Sequence, residues 1–440
     1  MNPFYIAVGV FFVAYVLITL EHFHKTIVAL FAASIILVTG VLQQSEAFYS
    51  EELGVDWNVV LLLISMMIIV NIMRPTGFFE YLAIKSAKIA KGSPYWIMAI
   101  FAFVTAFVSA FIDNVTTVLL ITPIIIYICD QLEVDAVPYL ISTALASNVG
   151  GTATLIGDPP NIMIASKAHF DFMIFVRHLA PAILVIMLFY IIMLKIVFRR
   201  YLKTSREAME RIMNMDEKGV IKERKTIWSC LIVLAVVIAA FIFHGQIKLQ
   251  PATIAIFGAG LLMLVLNIEE PHTILSECEW PSIFFFIGLF IVVGAVVKVG
   301  FVKMMADAVI KATGSNMLFA STIILWFSAV ASAFIDNIPF VATMNPLLLD
   351  MGKALWPGVH IDVVNQTTML PVWWALSLGA CLGGNGTAIG ASANVVVVGM
   401  GEKVGRKVSF VKFMVYAFPF WFMSIVVSNI YIWLRYFVFG

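Results

Sequence analysis

The chain has 440 residues, 62% of them hydrophobic and 12% charged, with a formal net charge of +1 and a mean hydropathy of +1.01. Soluble domains carry about twice that share of charge, so a chain this apolar needs lipid against its surface. A net charge near zero excludes the clustered basic face of a nucleic-acid-binding protein.

The four cysteines, Cys129, Cys230, Cys278 and Cys381, lack metal-ligand spacing and are expected as small fillers in or near membrane helices. The sequence has no Walker A loop, GxSxG elbow or HExxH motif, so ATP-driven pumping would need a partner chain. Neither a catalytic residue nor a cofactor is expected.

A helix that crosses a bilayer needs about 20 apolar residues. In chain order such stretches fall at 3–20, 26–42, 57–73, 137–165, 179–198, 226–244, 250–267, 281–297, 373–399 and 413–436. The first lacks the basic flank of a signal peptide and is read as a retained helix. His22 and His24 at its end read as interfacial residues. The stretches 93–131 and 315–350 are too long for one span, and each carries an Asp-Asn pair near its middle. Each is expected to enter and leave on one side, as a re-entrant hairpin.

The segment 43–56 holds four acids and no Lys or Arg, and is placed outside. The segment 199–225 holds nine Lys and Arg and is placed in the cytoplasm, as a solvated connector. Alternation then puts Lys85, Lys88 and Lys91 inside, with Lys403, Arg406 and Lys407. Two segments run against the charge rule: 268–280 is acidic yet inside, and 298–311 carries lysines yet is outside. The stretches 74–92 and 298–314 are expected to lie along the interface as amphipathic helices.

An internal repeat accounts for both conflicts. Phe111-Ile112-Asp113-Asn114 recurs 223 residues later as Phe334-Ile335-Asp336-Asn337, and Trp57 and Pro123 recur at the same shift as Trp280 and Pro346. The run from Gly150 to Gly157 recurs 233 residues later as Gly383 to Gly390, and Asn161 matches Asn394. The ten extra residues fall around 351–372. Each copy counts five spans and one hairpin, an odd number of crossings, so the second copy enters from the opposite side. The expected organisation is a first repeat at 1–198, the connector 199–225, and a second repeat at 226–440. Inverted repeats of this kind mark secondary transporters.

Backbone groups at membrane depth must be paired unless they line a cavity. Four places break helical continuity there: the tips Asp113-Asn114 and Asp336-Asn337, and the glycine-rich runs 150–157 and 383–390. Gly150, Gly151, Gly383 and Gly384 permit the breaks. Asp158 before Pro159-Pro160 reads as an N-cap that restarts a helix. Each copy is expected to pair its hairpin tip with its own break as half a site, the halves meeting near the midplane. Candidate ligands are Asp113, Asn114, Thr116, Thr117, Asn148, Thr152, Thr154, Asp158 and Asn161 from the first copy. From the second they are Asp336, Asn337, Thr343, Asn385, Thr387, Ser392 and Asn394. Candidate Na⁺ ligands are Asp113, Asn114, Asn148, Asp336, Asn337 and Asn385.

A buried carboxylate costs several kcal/mol unless it is neutralised. This residue set contains Asp113, Asp158 and Asp336 but no Lys, Arg or His. A mobile cation, H⁺ or Na⁺, is therefore expected to balance the acids, with its binding coupled to transport.

The stretches Ser332 to Phe340 and Ala380 to Val396 carry motifs that resemble the ion transporter superfamily with its citrate-transporter-like domain. The likeness is strongest to the melanosomal P protein branch. Arsenite-efflux permeases, Na⁺/H⁺ antiporters and sodium-coupled carboxylate carriers belong to the same superfamily. The resemblance covers nearly the whole chain. It implies a homodimer in which a scaffold domain supports a mobile transport domain, moving as an elevator. It also implies binding of substrate and coupling ions by Asp113, Asn114 and Thr116 with 150–161, and by Asp336 and Asn337 with 383–394. The carboxylate carriers have Ser-Asn-Thr at the tips where this chain has Asp-Asn, and fixed negative charge repels a multivalent anion. Gly157-Asp158-Pro159-Pro160-Asn161 is similar to those carriers' proline-containing turn.

The expected protein is an all-α, multi-pass transporter of the plasma membrane. It is H⁺- or Na⁺-coupled and moves a small anion or inorganic ion. The alternatives are a Na⁺/H⁺ antiporter and, from another class, an ion channel. Expected partners are lipid, the transported solute and a second copy of the chain.

Overall fold

The computed structural model describes residues 2–20, 22–314 and 316–439. The expected bounds at Met1, Ser315 and Gly440 lie outside the described residues. Among the described residues every regular element is helical.

In the first copy, α1 (Pro3–Thr19) and α2 (Lys25–Val38) lead to the short α3 (Gln44–Tyr49) and to α4 (Trp57–Met73). α3 starts in a capping box, in which the Glu46 carboxylate accepts the Gln43 N–H at 2.8 Å. The chain then turns through Gly77, whose φ of 83° is left-handed, into α5 (Phe78–Ile89). α6 (Pro94–Ser109) and α7 (Asn114–Leu132) are the arms of the first hairpin. α8 (Ala136–Gly151) breaks and resumes as α9 (Pro159–Ala168). The long α10 (Phe172–Val197) and the connector helix α11 (Arg206–Met213) follow.

The second copy repeats this order. It runs α12 (Arg224–Ile247), α13 (Pro251–Val265), α14 (Pro271–Ser276) and α15 (Trp280–Lys298). Gly300, at φ 81°, makes the turn that Gly77 makes, into α16 (Phe301–Thr313). The second hairpin is α17 (Met317–Phe334) and α18 (Asn337–Leu355), followed by α19 (Ile361–Gln366). α20 (Leu370–Gly383) ends in a 3₁₀ turn over Gly384–Gly386 and resumes as α21 (Ser392–Lys403). α22 (Phe410–Trp433) follows and runs on into a π-helical turn over Leu434–Val438, which closes the order. α19 falls in the segment assigned the second copy's extra residues.

Among the described residues seven helices are long and apolar enough to cross a membrane: 57–76, 114–132, 172–197, 224–247, 280–298, 317–334 and 410–438. α1, α2, α6 and α13 are apolar and shorter. The expected spans 137–165 and 373–399 are each two helices, because the glycine runs end α8 and α20 before the membrane is crossed.

The helices form two groups by what they touch. α2 packs on α15 and, in the mirrored contact, α13 packs on α4; α1 and α12 lie against these pairs. The hairpins and broken helices form the other group. There α6 and α7 pack on α8, α17 packs along α20, and α21 of one copy lies against α7 and α8 of the other. α5 and α16 flank the junction, and direct contacts cross it from α4 to α9 and from α15 to α18.

Ion pairs join segments that the charge pattern puts on one face. Lys298 reaches Glu46 at 2.6 Å, Arg74 reaches Glu277 at 4.0 Å, and Arg406 reaches Asp130 at 3.1 Å. The connector departs from expectation, because part of it is docked. α11 buries Ala208 and Ile212 and rests on α5 and α7. Arg211 there donates to the Glu133 carboxylate at 2.5 Å. The helix is amphipathic, and its apolar stripe needs a partner that a solvated linker would not supply.

Candidate functional site

The two broken helices pack tightly because glycine lets them. A Cβ on Gly150 would sit 2.0 Å from the Ala106 carbonyl oxygen, and one on Gly383 would sit 2.7 Å from the Ala329 Cα. The matched serines then bridge hairpin to break. Ser109 donates to the Ser147 carbonyl at 2.8 Å and Ser332 to the Ala380 carbonyl at 2.6 Å.

The carbonyls freed in each break are held by side chains of the same repeat. Asn161 donates to the carbonyls of Thr152 and Thr154 at 3.2 and 2.9 Å. Asn394 donates to those of Gly384 and Thr387 at 2.9 Å each. Thr154 and Thr387 hydroxyls donate to the Ala110 and Ala333 carbonyls beside the hairpin turns. Thr152 bonds back to the Asn148 carbonyl at 2.7 Å. Carbonyls in and beside the irregular stretches 152–158 and 387–391 are thus paired within protein, as a dry interior demands.

An amide chain joins the copies. Asn148 accepts from the Asn114 amide at 3.0 Å and donates to Asn385 at 2.8 Å and Asn394 at 3.0 Å. Asn385 donates to the Leu145 carbonyl at 3.2 Å. Cys381 holds the place in the second copy that Asn148 holds in the first, and it faces Asn161 Oδ1 at 3.5 Å. Ser377 donates to the same oxygen at 2.6 Å. Cys381, expected as a filler, therefore stands at the junction. Ser377 was not singled out by the sequence; only its place one turn before Cys381 on α20 points to it.

The aspartates have three different surroundings. Asp113 caps α7, accepting the Thr116 N–H at 2.9 Å. Thr117 turns its hydroxyl to the Ile112 carbonyl at 3.3 Å. Asp158 precedes α9, but its side chain does not cap that helix; Pro159 and Pro160 leave few N–H groups for it. Instead both its oxygens accept from the Asn337 amide, at 3.4 and 3.3 Å, a bond between the copies that adds to the tip-to-break bonds within each. Asp158 is 1% exposed and Asp113 6%. Among the described residues neither has a Lys, Arg or His within ion-pair distance.

Asp336 overturns part of the expectation. It caps α18, accepting the Ile338 N–H at 3.2 Å, and it is salt-bridged to Lys25 at 2.7 Å. Lys25 also donates to Ser392 at 2.7 Å, and Ser392 donates to Asp336 at 3.0 Å. The site therefore does hold a basic residue, supplied from far away in sequence by the first turn of α2. Asp336 has a fixed counter-charge and needs no mobile one. Thr343 is likewise engaged, at 2.7 Å from the hydroxyl of Tyr15 on α1, which also donates to the Pro339 carbonyl at 2.6 Å.

A cavity of about 960 Å³ opens on the face that carries 43–56, walled by parts of α4, α9, α15 and α18. Asp113, Asp158 and Asp336 are not among its lining residues. Glu279, just before α15 at the opposite end, lies within electrostatic reach of Asp113, Asp336 and Lys25. Its match Asp56, just before α4, accepts from Ser166 on α9 at 2.5 Å. The hairpin tips thus sit nearer the face carrying 268–280.

Residues 15–379 match the family model described as citrate transporter. An uncharacterized transporter of Mycobacterium tuberculosis is 44% identical over 435 residues, covering 99% of both chains. The P protein of Mus musculus is 32% identical over 511 residues, covering 99% of this chain and 60% of its own length. The fold is similar to that of the YdaH transporter of Alcanivorax borkumensis, with a TM-score of 0.63, 12% identity and 99% of each chain covered. MtrF of Neisseria gonorrhoeae aligns with a TM-score of 0.55, 12% identity and 99% and 96% coverage. With its all-helical fold and its family match over most of its length, the chain is a multi-pass membrane transporter and belongs to the citrate transporter family.

Proposed function

We propose that this transporter is a cation-coupled secondary carrier in which Asp158 and Asp113 hold the coupling H⁺ or Na⁺. The supporting observation is a pair of buried carboxylates, at the meeting of two broken helices, with no basic partner among the described residues. A fixed ammonium serves the third acid, so the unmet negative charge is concentrated in the first half-site. Burying such charge is costly unless a cation accompanies it. The surrounding amide, hydroxyl and carbonyl oxygens suit a hard cation.

The transported solute is a small anion or inorganic ion. An anion is favoured at the second half-site, where Ala391 replaces an acid and α21 begins with Ser392 and Ala393. Their backbone N–H groups are free of the proline that occupies the start of α9. Movement follows the grouping of helices. The hairpin and broken-helix group travels as an elevator against α1, α2, α4, α12, α13 and α15, and the asymmetric placement of Glu279 and Asp56 corresponds to one end of that travel. The working unit is a homodimer in the plasma membrane, with 199–225 in the cytoplasm.

A proteoliposome screen tests this reading, with imposed Na⁺ and H⁺ gradients against a panel of anions. Uptake that concentrates one anion only when a gradient is imposed supports it. Sodium-dependent proton flux without any anion would identify a Na⁺/H⁺ antiporter instead. Currents far above carrier turnover would identify a channel.

A further inference from the structure

We infer that Lys25 is a tethered cation: its ammonium occupies at Asp336 the position of a monovalent metal ion, so cation exchange is confined to the other half-site. This deepens the coupling proposal above and rests on it.

The repeat makes the case. α2 and α13 are matched helices, with Ala29, Phe31 and Ala33 recurring 226 residues later as Ala255, Phe257 and Ala259. They make mirrored contacts, α2 on α15 and α13 on α4. At the same shift Lys25 falls on Pro251, which has no charge to offer. The matched tip acids follow suit: Asp336 is ion-paired and Asp113 is not. Two equivalent acid tips make two equivalent cation positions, and in the arrangement described here the Lys25 ammonium fills one of them.

The ammonium is placed as a bound ion would be. It sits 2.7 Å from the Asp336 carboxylate and 2.7 Å from the Ser392 hydroxyl oxygen. Its other side faces the Phe285 ring, 5.0 Å from the centroid, a favourable seat for a cation. The pair is largely shielded, the Lys25 side chain being 25% and the Asp336 side chain 11% exposed. Glu279 is the further acid within electrostatic reach of both. Since α2 belongs to one helix group and the α17–α18 tip to the other, the tether also spans the junction between them.

The test uses the full-length protein in detergent, titrated with NaCl or LiCl against choline chloride at fixed pH, with thermal unfolding as the readout. Lys25→Met removes the ammonium and vacates its position while keeping an unbranched apolar stem as far as the ε carbon. It is expected to acquire a Na⁺- or Li⁺-dependent rise in Tm several degrees larger than any shown by wild type. Adding Asp336→Asn should abolish that rise and restore a stable neutral pair, so a folded reference exists even if Lys25→Met alone is unstable without salt. Lys25→Arg should behave as wild type. If Lys25→Met shows no cation-dependent rise beyond wild type, or if the rise persists in Lys25→Met/Asp336→Asn, the tethered-cation proposal is wrong. Failure of the coupling reading looks different: the Lys25→Met rise would appear, while gradient-driven uptake by wild type would be absent.

Discussion

Asp158 of the first repeat and Asn337 of the second hairpin tip are hydrogen-bonded across the copies, with the Asn337 amide shared between both carboxylate oxygens. The bond satisfies the polarity of Asp158 without neutralising its charge. Asp158→Asn keeps an acceptor for Asn337 and removes the charge alone. Coupled flux in proteoliposomes is expected to fall at least tenfold, with folded yield and oligomeric state unchanged in gel filtration. Unchanged flux would remove Asp158 from the coupling site.

Asn148 is the hub of the amide chain and is fully buried. Asn148→Leu leaves Asn385 Oδ1, Asn394 Oδ1 and the Asn114 amide without their partner. Each such loss costs about 1–3 kcal/mol. A marked drop in Tm is expected, well beyond that of Cys381→Ala at the matched position, where only weak sulfur contacts are lost. Equal Tm values for the two variants would contradict the structural role of the chain.

Gly150 offers a steric test. Gly150→Ala drives a methyl into the Ala106 carbonyl, and overpacking of this kind costs about 1–3 kcal/mol or more. Gly260→Ala is the control, since nothing lies within 4 Å of a Cβ there. Gly150→Ala should reduce both Tm and flux while Gly260→Ala changes neither; parity between them would show that the α6–α8 packing is looser than described.

At the surface, the Lys298 hydrogen bond holds the Glu46 carboxyl below its ordinary range. A depressed carboxyl contributes stability that is present above its unfolded pKa, near 4.3, and is lost as pH falls through the folded value. The hydrogen-exchange protection factors in 43–56, taken relative to the intrinsic rate at each pH, should therefore fall on acidification below about pH 4.3. In Lys298→Ala exchange should be fast at neutral pH already. Exchange equally slow in both proteins at neutral pH would show that the pair does not hold the segment.

Much of this arrangement was legible in the chain itself. The recurrence of Phe-Ile-Asp-Asn and of the glycine run marked both tips and both breaks, because glycine and Asp-Asn inside apolar stretches have no other easy explanation. The matched contacts of Asn161 and Asn394 follow from that register. What was not legible lies in pairings between distant segments. Lys25 reads locally as a charge at the start of an apolar helix, and nothing near it in sequence points to Asp336. Its absence from the second copy, where Pro251 stands, was the available signal. Tyr15 and Ser377 gave none beyond helical register. Asp158 looked like a cap because Asp before Pro-Pro normally is one, yet with prolines removing the first N–H groups its carboxylate turned to Asn337.

The most direct test is cation movement itself, measured in proteoliposomes with a pH-sensitive dye and radiolabelled Na⁺, comparing wild type with Asp113→Asn/Asp158→Asn. Wild type is predicted to move H⁺ or Na⁺ with saturable kinetics, alone or with its solute, and the double variant to move neither. Wild-type rates in the double variant would contradict the assignment of the coupling cation to these two acids.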